Sequence, residues 1–149
     1  MRALMLVVTM MIAGAAGPVS GADAQQLEEN KRIVREFYET AINRKDADGA
    51  MKYLGSRYIQ HNQNAEDGAE GLRKFILFLR DRHPQARSEI RRIFAEGDFV
   101  ILHVRAVRDP GSRGMAVIDI FRLEQGKIVE HWDVHEDIVE RPVNANGMF

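Results

Sequence analysis

The chain has 149 residues, 45 % hydrophobic and 29 % charged, which fits one globular domain with a modest core. Its 21 basic and 22 acidic residues leave a formal net charge of −1 with no basic run, which argues against a nucleic-acid partner. There is no cysteine, so a disulfide framework, a thiolate-held metal and a thiol nucleophile are excluded.

At the N-terminus Arg2 precedes an apolar run over residues 3–16, too short to span a bilayer, and Ala22-Asp23-Ala24 supplies a small-x-small processing pattern. This predicts a secretory leader over residues 1–24, a mature domain over 25–149, a secreted or periplasmic location, and no membrane span after processing. The alternative is an uncleaved anchor, disfavoured because Gly14, Gly17, Pro18 and Gly21 break the helix early.

In the mature region, Leu27, Ile33, Val34, Phe37, Tyr38, Ala41 and Ile42 recur at helical spacing and predict an amphipathic helix over 26–43. Asp46 can cap a short second helix over 47–53, with Gly55 as its stop signal. The polar segment SRYIQHNQNAEDG follows. Asp67 with Glu70 resembles a capping box, and Leu72, Phe75, Ile76 and Leu79 make a third helix ending at His83-Pro84. Beyond Pro84 the period becomes alternating. Segments 87–95, 99–107, 115–123 and 127–137 read as strands, separated by Glu96-Gly97-Asp98, Asp109-Pro110-Gly111-Ser112 and Glu124-Gln125-Gly126. Helices followed by a meander give an α+β fold, and the tail 141–149 reads as a loose end.

A three-residue Glu124-Gln125-Gly126 loop pairs Leu123 with Lys127 and, counting back, Asp119 with His131. A turn centred near Gly111 pairs Asp119 with His103, so the expected row is His103, Asp119, His131. A two-residue Gln125-Gly126 turn would instead put Trp132 opposite Asp119 and dissolve that row. Asp119 stands in the hydrophobic strand VIDIF, where a buried charge is costly unless paired. It is either a pocket residue or a solvated outward one.

The segments YIQHN, VIDIFRLEQGKIVEHWDV and NANGMF, in this order of helices and strands, resemble the SnoaL-like branch of the nuclear-transport-factor-2-like superfamily, which also holds ketosteroid isomerase and scytalone dehydratase. The resemblance implies a cone: three N-terminal helices packed in a strongly curved, mostly antiparallel sheet, with a small-molecule pocket inside and dimerisation through the convex face. VIDIFRLEQGKI resembles the isomerase strand that carries an oxyanion-binding Asp, placing Asp119 in that role, and REFYETAINRKD resembles its first helix, placing Tyr38 as the partner donor. The isomerase's general-base Asp is replaced here by Asn62, which cannot take up a proton. In SnoaL-like polyketide cyclases a pocket Asp is the acid and base of an aldol closure, and Asp119 matches it best.

The resemblance thus implies a cofactor-free lyase or isomerase acting next to a carbonyl, with Asp119 and Tyr38 catalytic and His61, His103 and His131 as proton partners. Asn62, Tyr58, Phe121, Asp133 and His135 are expected to contact a small apolar or carbonyl-containing ligand. The competing function is a ligand carrier without turnover. A metal held by His131, Asp133 and His135, or by His103, Asp119 and His131, is chemically possible, but two-residue spacing on a strand is weak support, and no metal is expected. Ile128, Trp132 and Val134 are expected to form an apolar stripe on the convex face, suited to a homodimer.

Overall fold

A computed structural model describes residues 21–149. Residues 1–20 of the expected leader lie outside the described residues. Helix α1 (Gly21–Tyr38) carries the Ala22-Asp23-Ala24 pattern in its first turn and runs into a π-helical turn, Glu39–Asn43. Helix α2 (Ala47–Met51) is capped as expected, the Asp46 side chain accepting from the Gly49 N–H. After strand β1 (Leu54–Gln60) come α3 (Gly68–Arg82), β2 (Arg87–Glu96), β3 (Phe99–Val107), β4 (Met115–Glu124) and β5 (Lys127–Asp137).

Three local expectations are corrected. The capping box at α3 does not form: Asp67 is the N-cap residue, but its carboxylate accepts the Gln60 backbone N–H at 2.8 Å instead of a helix donor. Part of the segment read only as polar is strand β1, which runs parallel to β5 at the sheet edge. Gly55, read as a helix stop, lies within that strand.

The sheet order is β1-β5-β4-β3-β2, antiparallel except for the first pair. Alternation decides what is buried. On β3, Val100, Leu102 and Val104 are fully buried on the inner face, against the helices, while Phe99 and Ile101, which alternate with them, are exposed. Val34 and Phe37 from α1, Ile76 from α3, and Phe121, Leu123 and Ile128 from the sheet complete the core. The α+β architecture is the expected one, with helices packed on a five-stranded mixed sheet.

The β4–β5 turn is the two-residue Gln125-Gly126, with φ of 51° and 73°, as a type I′ hairpin turn requires. Glu124 pairs with Lys127 and Leu123 with Ile128, but the next pair is Arg122 with Glu130, so Val129 is a bulge. This moves Ile128 off the expected outer stripe and into the core, where it is fully buried. The same bulge restores the face that the short turn would have lost. Asp119 therefore pairs with Asp133, and Phe121 with His131, all facing inward.

On the β3–β4 side nothing compensates. Leu102 pairs with Asp119 and His103 with Ile118, so His103 lies on the outer face, opposite to Asp119. The expected row of three is thereby corrected: His131 and Asp119 share the inner face, and His103 does not. The tail beyond β5 has no regular structure, yet it is anchored at its end, where Phe149 stacks on His103 with 5.2 Å between ring centroids.

Candidate functional site

The inner face of the sheet does not close completely on the helices. A cavity of about 540 Å³ remains between α1, α3 and the sheet, and its wall includes Tyr38, Tyr58, Gln60, Asp119, His131 and Asp133. Apolar side chains surround these polar groups, among them Phe37, Leu72, Phe75 and Phe121. Strand alternation brings them in: Tyr58 and Gln60 are two apart on β1, Asp119 and Phe121 on β4, His131 and Asp133 on β5.

Asp119 is 5 % exposed and His131 8 %. His131 is diagonal to Asp119 across the β4–β5 ladder, and its Nε2 lies 3.0 Å from Asp119 Oδ1. Its Nδ1 lies 3.0 Å from Gln60 Oε1, and its ring packs against Phe121 at 4.7 Å. The other carboxylate oxygen, Asp119 Oδ2, is the one buried side-chain polar atom among the described residues that has no hydrogen-bond partner. An uncompensated carboxylate oxygen on a cavity wall is available for a ligand.

Two phenols share this environment. Burial pushes Tyr38 well above its ordinary proton affinity, the Asp119 carboxylate adds to the shift both by its charge and as an acceptor facing the phenol, and a hydrogen bond with Ser88 opposes it. Burial likewise raises Tyr58, reinforced by the charges of Asp119 and Asp133. Both remain phenols, and hence hydrogen-bond donors, throughout the neutral range. Asn62 closes the ring of polar groups by donating its amide to both oxygens of Asp133, at 2.7 and 2.8 Å.

Of the ten site residues expected from sequence, Tyr38, Tyr58, Asn62, Asp119, Phe121, His131, Asp133 and His135 line this cavity, His135 in an exposed position. Two do not. His103 faces the outer side, beside Arg92 and Phe149. His61, one residue past the inward-facing Gln60, points outward, bonds Glu130 at 2.8 Å and stacks on Trp132 at 4.6 Å. Neither reaches Asp119 as a proton partner. Gln60 and Ser88 were missed. Their only sequence signal was the alternation of strands whose partners are distant in the chain.

Asp119, His131 and Asp133 place ligand-type atoms within 4.8 Å of one another, a donor set of one imidazole and two carboxylates that suits a divalent cation. Within that set, however, Nε2 of His131 and Oδ1 of Asp119 already engage each other, and both Asp133 oxygens engage Asn62. Only Asp119 Oδ2 is uncommitted.

The sequence matches the SnoaL-like domain family over residues 34–131, more than half of the chain and all of this inner wall up to His131. The chain belongs to the SnoaL-like family. No curated protein sequence matches it. Among solved structures it is similar to a candidate ketosteroid isomerase from Kribbella flavida, at 15 % identity and a TM-score of 0.64, covering 80 % of this chain and 86 % of that one. It is also similar to a candidate polyketide cyclase from Acidithiobacillus ferrooxidans, at 18 % identity and 0.61, covering 72 % and 88 %. A third is TsrD from Streptomyces laurentii, at 24 % identity and 0.58, covering 80 % and 92 %. At these identities the likeness concerns the fold, the nuclear-transport-factor-2-like cone.

Proposed function

We propose that this SnoaL-like protein binds a small, largely apolar carbonyl compound and moves a proton at the carbon next to the carbonyl without a cofactor, as an aldol cyclase, isomerase or dehydratase would. The observation that carries the reading is the unpartnered, buried Asp119 Oδ2 on the wall of a cavity that is mostly apolar apart from this cluster of polar groups, with His131 on the same carboxylate. Oδ2 takes the α-proton, and the C–H electron pair moves into the enolate. Tyr38, held as a phenol, donates to the enolate oxygen. The proton then returns from Oδ2 to another atom of the same ligand.

Asn62 stands where the isomerase base would be, so proton transfer is assigned to Asp119 rather than to the β1–α3 loop. A leader over residues 1–24 supports export to a secreted or periplasmic location. Phe94, Ile101, Ile120 and Trp132 form a cross-strand apolar row on the outer face, which supports a homodimer through the sheet.

The test is α-proton exchange of a panel of cyclic and linear ketones, followed by NMR with wild type, Asp119→Asn and Tyr38→Phe. Asp119→Asn keeps a hydrogen-bond donor but cannot exchange protons, so an acid/base role loses on the order of 10²-fold or more. Near-complete retention would reduce Asp119 to an oxyanion donor. Tight binding with no exchange by wild type would replace the enzyme with a ligand carrier.

A further inference from the structure

The orientation of one amide settles where a proton sits in this site. The backbone N–H of Asn62 lies 2.9 Å from Gln60 Oε1, and a backbone N–H can only donate, so the oxygen of the Gln60 amide faces Asn62. Its nitrogen is turned to the Tyr58 hydroxyl, at 3.3 Å. That same Oε1 lies 3.0 Å from His131 Nδ1. An amide oxygen only accepts, so Nδ1 must carry a hydrogen.

A neutral imidazole protonated on Nδ1 has a bare lone pair on Nε2. An ionised carboxylate likewise offers only lone pairs. Facing each other at 3.0 Å in a buried site, Nε2 and Asp119 Oδ1 would repel, so a proton must lie between them. The surrounding groups supply no fixed cation in its place. Tyr38 faces the pair from α1, Tyr58 from β1, and Asp133 and His135 from β5, while Lys74 on α3 is already bound to Glu66 and Arg108 after β3 is exposed.

We infer that Gln60 is a positioning residue that fixes His131 with its hydrogen on Nδ1 and so obliges Asp119 and His131 to share a single proton between Oδ1 and Nε2. The pair is either imidazolium with carboxylate or imidazole with carboxylic acid, and it is neutral in both forms. Asp119 becomes a carboxylate only as His131 becomes an imidazolium. When Oδ2 then takes the α-proton, the imidazolium remains beside a neutral acid and offsets the negative charge on the enolate. The number of protons is conserved at each step. The inference rests on the proton-handling role of this pair, but it is tested without turnover.

The experiment is NMR of the imidazole nitrogens in the full chain, labelled at histidine with ¹⁵N and treated with EDTA. Of the five histidines, His131 is assigned by its loss in His131→Asn. In wild type, His131 Nδ1 is expected to show a directly bonded proton. Gln60→Leu, which removes the acceptor, should lose that signature, and Gln60→Glu, which keeps an oxygen there, should restore it. If a substrate is found, Gln60→Leu should lower kcat about 10-fold with KM within about 2-fold.

A bare Nδ1 in wild type, or an unchanged Nδ1–H in a folded Gln60→Leu, overturns the inference. So does a change in the His131 nitrogens on adding EDTA, which would put a cation where the proton is placed. Failure of every ketone to exchange, with the Nδ1–H signature present, counts against the proposed reaction and leaves the tautomer assignment standing.

Discussion

Val129, the residue that the β4–β5 ladder skips, lies over Gly55 of β1, where a Cβ would stand 2.7 Å from Val129 Cγ1. The bulge is thus accommodated by a missing side chain on the neighbouring strand. Gly55→Val is expected to overpack this contact and lower stability by about 1–3 kcal/mol, read as a lower urea midpoint. Because the bulge also sets which face His131 occupies, the variant should disturb the His131 nitrogen resonances as well. A midpoint and spectrum equal to wild type would remove the proposed role of Gly55.

His103 and His61 separate the inner face from the outer. Both are imidazoles on strands or strand ends beside the site, yet both face away from the cavity. His103→Ala and His61→Ala should keep α-proton exchange within about 2-fold, while His131→Ala should lose on the order of 10²-fold. A large loss in His103→Ala would contradict the β3–β4 register.

The two buried phenols give the protein an alkaline liability. Tyr38 and Tyr58 hold their protons more tightly folded than unfolded, where a phenol ionises near pH 10. Their contribution is fully present below about pH 10 and declines as pH rises above it, because only the unfolded chain then releases those protons. Urea midpoints measured from about pH 9 to about pH 11 should fall, and Tyr58→Phe should make the fall shallower, by a slope difference that grows from near zero at about pH 9 toward one proton at about pH 11. A slope identical in wild type and variant would show that Tyr58 ionises in the folded protein.

The outer row of Phe94, Ile101, Ile120 and Trp132 predicts association. Phe94 and Ile101 are 56 % and 37 % exposed, large apolar surface for an isolated chain. Trp132→Glu should lower the sedimentation coefficient toward that of a monomer while the circular dichroism stays native. An unchanged coefficient in the folded variant, or a wild type that is already monomeric, would remove the homodimer.

Side-chain period alone made the order of three helices and the four-stranded meander legible, because amphipathic periodicity is a local property of the chain. The inward placement of Asp119 was supported by the cost of a carboxylate in VIDIF and by the family likeness. Strand β1 was not legible: its partner, β5, is some seventy residues away, and its polar edge residues carry no apolar alternation. Register was decided by tertiary structure. A strand has a period of two, so one residue of slip exchanges its faces. Between β4 and β5 the short turn and the Val129 bulge are two such slips, which cancel and leave His131 facing inward as expected. Between β3 and β4 there is only one, and it carries His103 to the other side. Which histidine joins Asp119 therefore depended on a bulge that Gly55 makes room for, a contact between strands far apart in the chain.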